Sequence, residues 1–349
     1  MKRRATIEDV AQLAGVSIAT VSRVLSKPDV VKASTHERVM KAVRSLAYQP
    51  DAAARALVSG RTHTVGCVIP TLDHAIFARS TQAMQTALAE SGFQLLVGSS
   101  NYEASTELQV VRAFQQRGVD ALVLVGTDHA PSMWEAVQSW GKPTLLTWSC
   151  DPRLPSIGFD NAAIAKRMTS HLLSLGHKRI AVVSGFTANN DRARSRIRGV
   201  QQALSEHGLK LAPELLIEQS YNLNGGRLAL RQLMQLQQPP TAIFCVMDLL
   251  AAGVLLEAQR LNIDVPRMLS VCGVDNHELA EAISPGLTTI SLPTPELGKI
   301  TAERVLKALS GGTLPKRTIL DFELIERGST AKVSRAAIGS NIASARRKR

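Results

Sequence analysis

Between Thr64 and Gly273 the chain sets short apolar runs at intervals, each followed by a longer stretch with helical spacing. Val65-Gly66-Cys67-Val68-Ile69, Gln94-Leu95-Leu96-Val97, Ala121-Leu122-Val123-Leu124-Val125 and Thr144-Leu145-Leu146-Thr147 make a first series. Arg179-Ile180-Ala181-Val182-Val183, Leu215-Leu216-Ile217, Ala242-Ile243-Phe244-Cys245-Val246 and Leu269-Ser270-Val271-Cys272-Gly273 make a second. Runs that are apolar throughout, instead of alternating, fit strands covered on both faces, and the helical stretches supply the crossovers that parallel strands require. The expectation is an α/β body of two similar subdomains, with a ligand cleft beyond the carboxyl ends of the strands.

The first 60 residues have a different period. Thr6-Ile7-Glu8-Asp9 is a capping pattern, and Ile7, Val10, Ala11 and Ala14 follow at helical spacing up to Gly15. Beyond the Gly15-Val16 turn, Ser17 can cap a second helix with Val21, Val24 and Leu25 inward and Ile18, Ala19, Ser22 and Arg23 outward. Two short helices across a tight glycine turn make a helix-turn-helix. Ser34-Thr35-His36-Glu37 is a further capping box, opening a third helix that closes before Tyr48-Gln49-Pro50. The segment from Asp51 to Gly60 has the cap and stop of a helix of about two turns, too short to be stable alone in water.

Charge separates these regions. The chain of 349 residues carries a net charge of +12, made of +6 in residues 1–61, zero in residues 62–331 and +6 in residues 332–349. A basic head on a neutral body points to a nucleic-acid partner, because phosphate contacts dominate such affinity. Nowhere is there an apolar run of about 18 residues, so a membrane span is not expected. The charged start from Met1 leads to the expectation of a cytoplasmic protein. Cys67, Cys150, Cys245 and Cys272 are far apart, without a C-x-x-C pair or zinc spacing, which fits a reducing compartment and no metal.

The run Thr6-Ile7-Glu8-Asp9-Val10-Ala11, Ala14-Gly15-Val16-Ser17, Thr20-Val21-Ser22-Arg23-Val24-Leu25 and Tyr48-Gln49-Pro50-Asp51 resembles the headpiece of the lactose/galactose repressor family. The likeness extends to about residue 331. It implies an all-α helix-turn-helix headpiece over 1–50 and a hinge helix over 51–61. These precede a body over 62–331 that looks like a two-subdomain periplasmic binding protein. With crossovers near Asp160, Leu292 and Asp321, the subdomains would span 62–160 with 292–321 and 161–291 with 322–331.

It also implies the partners: a palindromic double-stranded DNA operator, a small-molecule effector and a second copy of the chain, as a homodimer or a tetramer. The DNA-contacting set is then Thr6, Ser17, Ile18, Ala19, Thr20, Ser22, Arg23, Arg55 and Leu57. Arg23 can fork onto a guanine edge, while Ile18 and Ala19 offer only apolar contact, for instance to a thymine methyl. Ile18 packing partly into the core is the alternative. Leu57 is the expected wedge between central base steps, with Arg55 beside it.

The cleft residues carried over from the resemblance are His74, Phe77, Trp148, Arg194, Arg196, Tyr221, Met247 and Asp275. Arginine can clamp vicinal hydroxyls or a carboxylate, aspartate accepts from hydroxyls, and an aromatic face covers the apolar side of a sugar ring. Phe77 and Trp148 as core aromatics, and Asp160 as a helix cap, are the plainer readings. Of Arg192, Arg194, Arg196 and Arg198, spaced by two, only Arg196 and more weakly Arg194 are kept, the rest being taken as a solvated charge run. Many family members have an asparagine where Met247 stands, so a lactose-like contact set is not expected. The stretch Ile157-Gly158-Phe159-Asp160-Asn161, with Met168-Thr169 and Leu175-Gly176-His177-Lys178-Arg179-Ile180, looks closest to the gluconate-repressor subgroup and implies a sugar or sugar-acid effector.

Residues 332–349 are rich in Ala, Ser and Gly, end in Arg346-Arg347-Lys348-Arg349 and lack leucine heptads; disorder with weak nonspecific DNA attraction is expected. A purine- or other metabolite-responsive regulator of the same fold, a sugar-modifying α/β enzyme with a fused head, and a transport-type binding protein are the alternatives. The chain has no phosphate loop, no G-x-G-x-x-G, no G-x-S-x-G and no H-E-x-x-H, so neither enzymatic activity nor a cofactor is expected.

Overall fold

The structure is a computed structural model that describes residues 5–26, 28–49 and 60–333. The expected hinge helix, with Arg55 and Leu57, and the tail beyond residue 333 lie outside the described residues. Contacts divide the chain into two units between His63 and Thr64.

The first unit holds α1 (Ile7–Ala14), α2 (Ile18–Ser26) and α3 (Ala33–Ser45). Thr6 starts α1 with a reciprocal box: its backbone N–H donates to Asp9 Oδ2 at 2.8 Å, and Asp9 N–H donates to Thr6 Oγ1 at 3.4 Å. Gly15 ends the helix at φ 62°, a left-handed conformation that glycine adopts without a Cβ penalty. Val10, Val21 and Val39, one from each helix, are fully buried at the centre. The expected box at Ser34 does not form. Lys32 is the N-cap of α3, without a side-chain cap bond, so the helix begins ahead of Ser34 and leaves that hydroxyl inside the first turn.

The second unit begins with β1 (Thr64–Ile69), α4 (Ala75–Glu90), β2 (Gln94–Ser99), α5 (Ala104–Gln116), β3 (Ala121–Val125), α6 (Pro131–Trp140), β4 (Thr144–Trp148) and β5 (Ser156–Gly158). It continues through α7 (Asn161–Ser174), β6 (Ile180–Ser184), α8 (Asp191–Glu206), β7 (Leu216–Glu218), α9 (Leu223–Met234), β8 (Ala242–Cys245), α10 (Asp248–Arg260), β9 (Ser270–Asp275), α11 (Glu278–Ala282) and β10 (Thr288–Ser291). It closes with α12 (Thr294–Leu309), β11 (Arg317–Ile319) and β12 (Glu323–Ile325).

All eight apolar runs became strands. One shifted: Pro213 presets a 3-10 turn over Pro213–Leu215, so β7 starts at Leu216.

Two six-stranded sheets result, in the orders β11-β5-β4-β3-β1-β2 and β12-β10-β9-β8-β6-β7. They are the same arrangement twice, with β6 to β10 repeating β1 to β5. Only the β10–β12 pair is antiparallel among the described strands. In each sheet the chain leaves the central strand in both directions, so the loops after β1 and β3, and after β6 and β8, diverge and open a crevice at the strands' carboxyl ends. The chain passes between the halves after Gly158, after Ser291 and between Ile319 and Glu323, the last residues of one sheet and the first of the other. Asp160 caps α7 by accepting from Ala163 N–H at 2.9 Å, the plainer of its two sequence readings.

Candidate binding cleft and helix surface

In the first unit, α2 buries Val21 and Val24 and turns Ile18, Ala19, Ser22 and Arg23 outward as one stripe. Ile18 is 46% exposed, so an apolar side chain stands in solvent at the start of this helix instead of joining the core. The hydroxyls of Thr6, Ser17 and Thr20 are engaged locally: Thr6 in its capping box, and Ser17 with Thr20 Oγ1 at 2.9 Å and with Thr20 N–H at 3.2 Å.

In the second unit, the carboxyl ends of both sheets carry a row of aromatic rings. Phe159 packs against Trp148 at 5.8 Å between centroids, Trp148 edge-on to Phe77 at 5.0 Å, and Phe77 against His74 at 6.1 Å. His74 meets Tyr221 from the second half at 5.3 Å, and Tyr221 stacks with Tyr102 at 6.3 Å. Phe77 and Trp148 are buried, as their plainer reading had it, and form the floor on which His74 sits. His74 Nδ1 is buried without a hydrogen-bond partner, and burial holds the imidazole below its ordinary pKa.

The second half adds a set of buried polar groups at the same strand ends. Arg196, 6% exposed, donates from Nε to Asn161 Oδ1 at 3.1 Å and from Nη1 to the Val246 carbonyl. Asn161 in turn donates to the Trp148 carbonyl at 3.2 Å, which ties the arginine to the aromatic floor. Asp275, also 6% exposed, has Oδ1 buried with no hydrogen-bond partner. Burial raises its pKa well above the carboxylate range, against the opposing pull of Arg196. Asp248 receives Thr289 Oγ1 at 2.6 Å and His277 N–H at 2.8 Å, and burial pushes its pKa up to about 7. Met247 caps α10 next to it with a buried thioether and brings no hydrogen-bonding group.

The arginine series on α8 needs correction. Arg192 is buried, paired with Asp191 at 2.9 Å, and lines a small pocket with Pro70, Tyr102, Glu103, Asp128 and Asp191. Residues four apart share a helix face, so Arg192 and Arg196 both look into the cleft, while Arg194 and Arg198 lie on another side. Arg194 is 43% exposed and bonds Asp128 of the first half at 2.7 Å, a contact between halves more than a ligand position. Sequence reasoning also passed over Tyr102 and His129. His129 bonds Glu107 on α5 at 2.9 Å and the Gly126 carbonyl at 3.1 Å, holding the loop that carries Asp128. Asp191 meets Thr127 of that loop; burial works against its ionised form, but Arg192, Ser149 and Thr127 together hold its pKa below normal.

Among the described residues no helix is long and apolar enough to cross a membrane. Residues 6–51 match the model of bacterial regulatory proteins of the lacI family, and residues 169–330 match that of the periplasmic binding protein-like domain. The uncharacterised HTH-type transcriptional regulator YkvZ of Bacillus subtilis is 33% identical over 93% of this chain and 99% of its own. The HTH-type transcriptional repressor CytR of Escherichia coli K12 is 31% identical over 93% of this chain and 96% of its own. The crystal structure of the lac repressor dimer, bound to operator and the anti-inducer ONPF, superposes with a TM-score of 0.85 over 94% of this chain and all of that one; at 24% identity it supports the fold. An outward helix stripe on a helix-turn-helix, a doubled parallel sheet with a cleft between its copies, and relatives matched over nearly their whole length lead to one conclusion: this chain is a DNA-binding transcriptional regulator of the lacI family.

Proposed function

We propose that the protein is a cytoplasmic repressor that binds a palindromic operator as a homodimer and is controlled by a small sugar or sugar acid held between its two α/β halves. The observation that carries the effector reading is the buried pair of Arg196 and Asp275, whose carboxyl keeps an oxygen without a hydrogen-bond partner at the carboxyl end of β9. A buried polar atom without a partner costs about 1–3 kcal/mol, and a hydroxyl-rich ligand would recover that cost. The arginine can fork onto a carboxylate or vicinal hydroxyls, and the rings can cover an apolar sugar face. Arg23, Ile18, Ala19 and Ser22 are the proposed contacts to the operator, with Leu57 and Arg55 at its centre.

The test uses the full-length protein and a labelled operator selected from random duplexes. Gluconate, 2-ketogluconate, glucose and hypoxanthine are titrated while operator binding and melting temperature are followed. A ligand at 100 times its dissociation constant adds about 2.7 kcal/mol of stability. Stabilisation by gluconate or its keto derivative with a changed operator affinity is expected. A response to hypoxanthine alone would replace the sugar-acid reading with a purine one, and a response to glucose alone would restrict the effector to neutral sugars.

A further inference from the structure

Nine non-glycine residues have positive φ among the described residues, and six of them ring the cleft: Asn101, Tyr102, Trp148, Asn189, Asp275 and Asn276. Left-handed backbone costs a side-chain-bearing residue about 1–3 kcal/mol and persists where its surroundings impose it. The six are not scattered. Trp148 ends β4 and Asp275 ends β9, which hold the same position in the two sheets. The equivalence extends one loop further, because β2 and β7 also correspond, and the loops after them present Tyr102 and Tyr221. These two rings, one from each half, lie 6.3 Å apart at an interplanar angle of 23°.

Tyr221 is seated firmly. Its ring lies on Gly185, where any Cβ would overlap it, and its hydroxyl accepts from Asn190 Nδ2 at 3.1 Å. Tyr102 is held differently. Its backbone is in the left-handed region at φ 62°, its carbonyl accepts from Asn189 Nδ2 at 3.2 Å, and its hydroxyl faces the Arg192 guanidinium. Asn189, Arg192 and Tyr221 all belong to the other half. The contacts that support the strained residue therefore exist only while the two halves are together.

We propose that Tyr102 and Tyr221 form an aromatic clamp across the mouth of the cleft, with Tyr102 the movable jaw that closes over the carbon skeleton of an effector whose carboxylate or hydroxyl groups Arg192 can bind. Its selective part rests on the effector reading above; its closing part does not. Tyr102 is thus a positioning and specificity residue. The ring closes on Tyr221, and the hydroxyl keeps Arg192 directed along the cleft.

Hydrogen exchange of the full-length protein without ligand tests the closing part. Tyr102→Ala is expected to speed exchange at least fivefold in peptides over Asp191–Glu206, which lie in the other half, while α10 exchanges as before. Tyr102→Phe keeps the ring and is expected to retain the protection. Equal exchange in all three proteins would overturn the clamp, and so would faster exchange spread equally into α10, which marks general loosening. Gluconate is then the probe of selection: Tyr102→Ala should raise its half-saturating concentration about tenfold, and Tyr102→Phe should raise it less. An unchanged half-saturation would remove the selective role. Should the unsubstituted protein ignore gluconate, the effector reading fails, and the exchange comparison still decides the clamp.

Discussion

Asp248 shows how one buried carboxyl sets a pH dependence. Burial favours its neutral form, so its folded pKa of about 7 stands above the ordinary 3.8. The folded chain therefore holds a proton that the unfolded chain has lost between these values, and the stability this brings is full below the unfolded pKa and is lost as pH rises through about 7. Asp248→Asn should have a melting temperature that falls less between pH 5 and pH 8 than that of the unsubstituted protein; parallel curves would show that another group carries the effect. Arg23 is the corresponding residue in the head. As the proposed guanine reader, Arg23→Ala should cost about 1–3 kcal/mol at the operator and little on random DNA. An equal loss on both, measured by anisotropy, would make it a phosphate contact. Arg196 and Asp275 were legible in the sequence only through the resemblance. Arg192 was not, because a two-residue spacing looks like a solvated run until the helix turn sorts its members into two faces. Tyr102 and His129 gave no signal at all: their partners Arg192, Tyr221 and Glu107 are 22 to 119 positions away in the chain.

Secondary structure was legible where burial is two-sided. Strands such as β3 and β4 are buried at every residue, and an apolar run of that length has few other places to go. β10, whose Thr288 bonds the Thr330 hydroxyl and whose Thr289 donates to the Asp248 carboxylate, and β11 and β12, three residues each with charged members, carry no such pattern; strand pairing at or next to the sheet edge creates them. The false capping box at Ser34 fails for a related reason, since a hydroxyl followed by a glutamate three residues on is also found within helices. Helix contacts are another feature invisible to periodicity. α4 and α12 approach so closely at Gly298 that a Cβ there would overlap the Ser80 carbonyl, a backbone atom that cannot swing aside. Gly298→Ala should therefore cost about 1–3 kcal/mol as overpacking. At about 2–4 °C per kcal/mol for a domain of this size, the melting temperature should fall by several degrees. A rise, as expected for alanine in an open helix, would mean the two helices separate freely.

At the scale of the whole body, the two halves are joined by three crossings of the chain and by side-chain contacts that an effector can modulate. Arg194 of α8 bonds Asp128 of the first half at 2.7 Å, and Arg79 of α4 bonds Glu278 of α11 at 2.7 Å. Both pairs are substantially exposed, so each contributes at most about 1 kcal/mol to stability. Their importance lies in what they bias. Allosteric coupling between two sites is typically about 1–3 kcal/mol, so one surface pair that exists only in the closed arrangement is a sizeable fraction of it. Asp128 is moreover held in place by His129 and its bonds to Glu107 and Gly126, which fix the loop without touching the second half. Asp128→Arg should set two like charges against each other and raise the half-saturating effector concentration about two- to fivefold, with ligand-free operator binding retained. Adding Arg194→Asp restores the pair with its charges exchanged and should return the response to its original value. If the double variant behaves as the sum of the two single ones, the loop and α8 act independently, and closure is governed by the cleft residues alone.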